Sequence, residues 1–311
     1  MIRKIITLSL LIVSIIVLWY FFYDVWFSVL ICLVPMFVLI VIHGERIDIF
    51  SGRRLGVLAA TKGNSLAITG AFFIPGRVTE ILKPLYFNKK KSLPIADGVS
   101  VLLVERFYDL TMVLCMGVGA LYFLPLAESA LVGMSKEFAI GGFILILMTI
   151  VLSSIFPALC IRIINTLPSI KLKRFLTSTF NAFRVSLSHG LKGWQIILTV
   201  CVWLGSWALY WFYLQWDGGV NLTIYQALMV FLVATFGLTI TITPGGLGTF
   251  EAVVAFVLQH FGYSLEAAFA SAVGLRLVAF IPNASIASYV IFVEGFDVMR
   301  EWRSKKVPES Y

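Results

Sequence analysis

Charged side chains stand in stretches that are otherwise almost wholly apolar: Arg77 and Glu80, then Glu105, Arg106 and Asp109, then Glu251 and Arg276. Arg77 and Glu80 are three residues apart, as are Arg106 and Asp109, so each pair shares a face wherever its segment is helical. Such pairs can simply hold a fold together. They can also form a cationic seat for an anionic head-group, because a guanidinium grips phosphate through a bidentate fork. Arg77 and Arg276, with Arg106, are the candidates for that seat. Glu105 and Asp109 also share a face and could hold one proton between them, so charge pairing or proton coupling falls to Glu80, Glu105, Asp109 and Glu251. Two of these groups sit in conspicuous breaks, "FIPGRVTE" and "ITPGGLGTFE". A helix that starts after Pro-Gly turns free N–H groups and its positive end outward, and Gly76, Gly246 and Gly248 would let an anionic ligand approach the backbone closely.

The elements that must position these residues are helices in a membrane. The chain has 311 residues, of which 60% are hydrophobic and 13% charged, with a mean hydropathy of +0.96. No soluble core needs that much apolar surface. Uncharged runs near 5–23, 138–161, 194–214 and 267–293 approach or exceed the roughly 20 residues of a spanning helix. The N-terminal run is too long for a signal peptide and lacks a small-residue cleavage site, so it reads as a first, uncleaved helix. The four cysteines are scattered within apolar runs and read as buried, inert thiols. The three histidines share no metal-ligand spacing, and no nucleophile elbow, P-loop or HExxH is present, so neither a metal nor a cofactor is expected.

Topology follows from the basic residues. Of the 24 lysines and arginines, all but Lys136 and the three arginines in apolar surroundings fall in segments that the positive-inside rule keeps in the cytoplasm. The net charge of +8 is therefore an orientation signal, and nucleic acid is not an expected partner. The first break lies between cytoplasmic flanks and predicts a re-entrant hairpin. The second has flanks without Lys or Arg and predicts a hairpin entering from outside. Spanning helices are predicted near 5–23, 25–42, 94–125, 138–161, 194–215 and 265–293. The fold class is thus an all-α polytopic membrane protein of about six spanning helices and two re-entrant hairpins, with both termini cytoplasmic, in a single domain over 1–311.

The breaks resemble each other beyond composition. Each carries Pro-Gly followed by a glutamate, and Arg106 and Arg276 follow their glutamates at nearly the same interval. Corresponding breaks in halves of opposite topology are the mark of an inverted repeat, here with units centred on 64–125 and 222–293. Non-helical backbone at membrane depth is tolerated only against protein or a water-filled cavity. The basic stretch 162–194 suits either an interfacial amphipathic helix or a solvated connector. Trp19, Trp26, Trp194 and Trp216 lie near predicted helix ends, as an aromatic belt requires.

The ordered set "PGRVTEILKPLYF", "VERFYDL", "TPGGLGTFEA" and "GLRLVAF" resembles the lysylphosphatidylglycerol synthase transmembrane-region family, also called flippase-like domain proteins. The resemblance covers essentially the whole chain. It implies a multi-helix envelope protein that moves or handles phospholipids or polyprenyl-phosphate-linked sugars. It also implies functional weight at Arg77, Glu80, Lys83, Glu105, Arg106, Asp109, Pro244, Gly246, Gly248, Glu251 and Arg276. Where the family often has Gly-Arg-x-Gly-Glu and a following arginine, this sequence has Thr79 and then Lys83. No soluble aminoacyl-transfer domain accompanies the resemblance before Tyr311, so a complete lysyl-lipid synthase is not expected.

The leading functional expectation is a non-enzymatic, flippase-like transporter in the cytoplasmic membrane, moving an anionic phospholipid or polyprenyl-phosphate-linked lipid between leaflets. The alternative is a non-transporting partner that docks, or supplies lipid to, an envelope glycosyltransferase or lipid-modifying enzyme. That version relies on the basic stretch more than on the buried arginines. Intramembrane chemistry on a lipid phosphate, with Glu105 and Asp109 as acid and base, is a third reading without an accompanying nucleophile.

Overall fold

A computed structural model describes residues 23–74, 78–123, 144, 157–190, 193–216, 221–237, 243 and 246–296. The first helix, α1 (Tyr23–Phe50), is followed by α2 (Val57–Ala71), a 3-10 turn (Val78–Ile81), α3 (Leu82–Lys91) and α4 (Ile95–Phe123). Then come α5 (Pro157–Asn165), α6 (Ile170–Gly190), α7 (Gly193–Trp216), α8 (Ile224–Gly237), α9 (Thr249–His260) and α10 (Leu265–Phe292). Among the described residues there is no strand.

Length divides these helices into two kinds. Phe27–Phe50, Gly193–Gln215 and Leu265–Phe292 are long and apolar enough to cross a membrane. The predicted span 94–125 is one helix, α4, of comparable length, but it carries Asp97, Glu105, Arg106 and Asp109. By contrast α2, α3, α8 and α9 have 15, 10, 14 and 12 residues. At 1.5 Å per residue none of these four reaches the roughly 30 Å of a hydrocarbon core. They come as two helix–break–helix pairs, α2 with α3 and α8 with α9, each packed side by side and each followed by a long helix. The predicted span 5–23 and most of 138–161 lie outside the described residues.

One expectation needs correcting. Residues 43–62 read as a cytoplasmic loop, yet α1 continues to Phe50 and α2 begins at Val57. Nothing in His43–Phe50 breaks a helix, and the chain reverses only at Ser51–Gly56. There the buried Asp48 carboxylate accepts the backbone N–H groups of Leu55 (3.1 Å) and Gly56 (2.7 Å), donors that would otherwise be orphaned at the turn. His43 and Arg46 are therefore carried into the helical interior rather than into solvent. The stretch 162–194 is helical, chiefly as α6, which lies along α4 with Ser100 donating to the carbonyl of Thr179 at 3.0 Å. Of the four cysteines only Cys32 is buried; Cys115 and Cys201 lie on exposed helix faces.

Two apolar cores share α1 and α10. One joins α1 with α7, α8, α9 and α10 around Tyr213, Leu214, Val254 and Leu275. The other joins the end of α1 with α2, α3, α4 and the end of α10 around Phe50, Tyr86, Val104 and Val290. Small residues set the helix spacing, as is usual where lipid supplies no hydrophobic drive between helices. A Cβ on Gly44 would stand 1.9 Å from Thr61 Oγ1, and one on Gly98 would stand 2.7 Å from Pro84 Cβ.

Just beyond α10, Glu294 ties that helix to the first pair. It accepts from Lys62 Nζ at 2.6 Å, from Lys90 Nζ at 2.9 Å and from Tyr86 Oη at 3.1 Å. Phe296 is buried against the Tyr86 ring, 5.3 Å between centroids. Partial burial opposes ionisation of Glu294, but these hydrogen bonds outweigh it and bring the carboxyl down to about 2.

Candidate functional site

The first charge cluster is built where α1, α3, α4 and the 3-10 turn meet. Glu105 is fully buried on α4, and both its oxygens accept from Lys83 Nζ at 2.9 Å. It is also 3.0 Å from Arg106 Nη2 and 3.2 Å from His43 Nε2. One helical turn along, Asp109 accepts from Arg46 Nη1 at 2.8 Å, from Arg106 Nη1 at 3.2 Å and from Trp203 Nε1 of α7 at 3.1 Å. Arg106 Nε reaches Glu80 at 3.1 Å. Glu80, Glu105 and Asp109 thus face Arg46, Lys83 and Arg106, and each carboxylate has a cation within hydrogen-bond range. Arg46 and Arg106 each approach both Glu105 and Asp109, so guanidinium charge stands between the two carboxylates.

The second cluster is smaller and drier. Arg276 on α10 holds Glu251 of α9 in a two-pronged pair, with Nε at 2.5 Å and Nη2 at 3.0 Å, and the same Nη2 donates to the carbonyl of Gly246 at 3.0 Å. Its guanidinium lies between the rings of Phe72 and Phe250, at 5.7 and 4.9 Å. Glu251 also accepts the backbone N–H of Gly248 at 2.8 Å, closing the start of α9 as a capping residue does. The backbone at Gly246 (φ 64°) and Gly248 (φ 82°) is left-handed, a conformation open to glycine at little cost. The Gly246 N–H in turn donates to the carbonyl of Thr243. The amides expected to face a ligand at Gly246 and Gly248 are thus already committed within the break, and the recognition groups this break offers are side chains. Gly76 and Arg77 lie outside the described residues, as do Pro244 and Gly245.

The two clusters correspond. In each, a glutamate from the break or from the helix just after it pairs with an arginine on the long helix that follows. Arg106 stands eleven residues after Ile95, the start of α4, and Arg276 eleven after Leu265, the start of α10. Exposure separates them: the Arg106 and Glu80 side chains are 38% and 20% exposed, against 10% and 5% for Arg276 and Glu251.

A cavity of about 310 Å³ lies between the clusters. Glu80, Lys83 and Arg106 line it from the first, Arg276 and Phe250 from the second, and Asn64 and Ile68 from α2. It combines a mainly apolar wall with a few convergent cations, the composition of a small-ligand site. Among the described residues no group of three or more His, Cys, Asp or Glu side chains could hold a metal ion. Sequence reasoning missed His43, Arg46 and Trp203. The signal was available for the first two: the i, i+3 spacing of His43 and Arg46 at the end of an uninterrupted helical stretch places both on one face.

The chain matches the family described as Lysylphosphatidylglycerol synthase TM region over residues 6–287. It belongs to that family. It is also 23% identical over 244 residues to UPF0104 membrane protein MJ1078 of Methanocaldococcus jannaschii, covering 75% of this chain and 97% of that one. No solved structure matches the chain. Membership and the apolar helices together make this a multi-pass membrane protein, and a lipid-related role fits both.

Proposed function

We propose that the protein moves an anionic lipid, a phospholipid or a polyprenyl-phosphate-linked lipid, between membrane leaflets without chemically altering it. The observation that carries this reading is the cavity between the two clusters, into which Lys83, Arg106 and Arg276 bring positive charge against an apolar wall. In this reading the two helix–break–helix pairs are re-entrant hairpins of an inverted repeat, and the head-group is held between them while its tails stay in lipid. Each hairpin glutamate then holds the place of the substrate anion on the arginine of its own unit. The exposed Glu80–Arg106 pair is the one a head-group exchanges with, so the first hairpin moves. The dry Glu251–Arg276 pair keeps the second hairpin fixed.

The test keeps the charges and removes the fork. Arg106→Lys and Arg276→Lys preserve neutralisation of the buried carboxylates but cannot grip phosphate in a bidentate fashion. Reconstituted in liposomes with a fluorescent anionic lipid, each variant is expected to stay folded and to translocate at least about tenfold more slowly, the effect of one charge-assisted hydrogen bond. Unchanged translocation in both would sink the reading. Mass spectrometry of copurified lipid names the substrate to use: one phosphate-bearing lipid is expected to be enriched on the wild type and depleted on the variants.

A second reading rests on α6. Arg174 and Arg184 are exposed there beside exposed Ile170, Leu172, Phe175 and Val185. Such a face suits the membrane interface or a partner enzyme. If neutralising Arg174 and Arg184 abolishes function while the cavity variants retain it, the protein presents lipid to a partner instead of transporting it.

A further inference from the structure

On the transport reading, the cavity holds one feature that the cations do not explain. The α2 face made by Asn64, Ala67, Ile68 and Ala71, at helical spacing, lines it, and Asn64 is the one polar group on that face. Asn64 is fully buried, and neither its amide nitrogen nor its carbonyl oxygen has a hydrogen-bond partner among the described residues. Leaving such a group unsatisfied costs about 1–3 kcal/mol, so its retention calls for an occupant that answers both atoms.

We infer that Asn64 reads a hydroxyl on the head-group, and that the substrate class is a phosphodiester lipid whose head-group bears hydroxyls. The chemistry of the amide decides among alternatives. A hydroxyl donates and accepts, so it can satisfy the Asn64 carbonyl and amino group together. A phosphate oxygen only accepts and leaves the carbonyl unpaired. An ammonium only donates, leaves the amino group unpaired, and is repelled by Lys83, Arg106 and Arg276 in the same cavity. A phosphate held by those cations with a neutral polyol against α2 satisfies every group named. The polyol can come from a glycerol head-group or from a sugar on a polyprenyl phosphate.

The experiment compares lipids of equal charge. Purified protein in detergent micelles is titrated with short-chain phosphatidylglycerol, with a glycosyl polyprenyl phosphate, and with phosphatidylmethanol, which keeps the single negative charge and lacks the hydroxyls. The wild type is expected to bind one hydroxylated lipid about fivefold to tenfold more tightly than phosphatidylmethanol, the effect of a neutral hydrogen bond. The preferred lipid then tells which source supplies the polyol. Asn64→Leu, close in size, is expected to bind phosphatidylmethanol as the wild type does and to lose the preference, which also shows that the variant is folded. Equal binding of all three lipids by the wild type overturns the inference and leaves the transport reading standing, as does a preference that survives Asn64→Leu. Failure of the wild type to bind any of them overturns both.

Discussion

The Glu251–Arg276 pair allows the sharpest test of the architecture. Its side chains are 5% and 10% exposed, and its two contacts are 2.5 and 3.0 Å. At about 3 Å and an effective dielectric near 20, the gross attraction is on the order of 5 kcal/mol, most of it offsetting desolvation. The measurable consequence is asymmetric. Glu251→Gln leaves a buried guanidinium without its counter-charge, and Arg276→Gln leaves a buried carboxylate, so each is expected to cost about 3–5 kcal/mol. Glu251→Gln retains an acceptor for the Gly248 N–H, which separates loss of charge from loss of the cap. The double variant Glu251→Gln/Arg276→Gln removes both charges and is expected to recover at least about 2 kcal/mol relative to the sum of the singles. The assay is denaturant unfolding in micelles, followed by the fluorescence of the eight tryptophans. Single-variant losses below about 1 kcal/mol, the range of exposed ion pairs, would refute a dry interior pair.

Other predictions follow from the same contacts. Because Glu294 titrates at about 2 in the folded state, below its ordinary value of 4.5, its contribution is complete above pH 4.5 and fades as pH falls toward 2. Wild-type stability is therefore expected to decline more steeply than that of Glu294→Gln across that window, and parallel acid titrations would show that the tie is not formed. Gly44→Val is expected to separate α1 from α2 and reduce folded yield, because the new Cβ would meet Thr61 Oγ1 and lie only 3.0 Å from its backbone nitrogen; size-exclusion profiles check this. Arg46→Gln is expected to cost about 3 kcal/mol or more, since it strips a counter-charge from Asp109 inside the protein. If Arg46 were a solvated loop residue, the same unfolding assay would show almost no change.

Helix positions in this protein were largely legible from local signals. Apolar runs predicted α1, α4, α7 and α10 to within a few residues at most ends, because a bilayer demands a run of fixed length and every backbone group must be bonded within the segment. Pro-Gly and Gly-rich strings marked the two breaks, since proline lacks a donor and glycine tolerates left-handed backbone. Charged residues in apolar surroundings identified Glu80, Glu105, Arg106, Asp109, Glu251 and Arg276 as worth explaining before any fold was known.

Which charges meet which was another matter. Arg46 was counted among loop cations because it adjoins Arg53 and Arg54, and only the packing of α1 against α2 and α4 shows it fully buried beside Asp109. Asn64 carries no sequence signal at all, since a lone asparagine in a small-residue helix is unremarkable until its neighbours are known. The commitment of the Gly248 N–H to Glu251 likewise depends on how α9 is seated against α10. Hydrophobic patterning and backbone chemistry act over a few residues, so sequence alone determined the helices, their breaks and the membrane setting. Ion pairing and cavity lining join residues far apart in the chain through helix packing, so only the tertiary structure decided the partners.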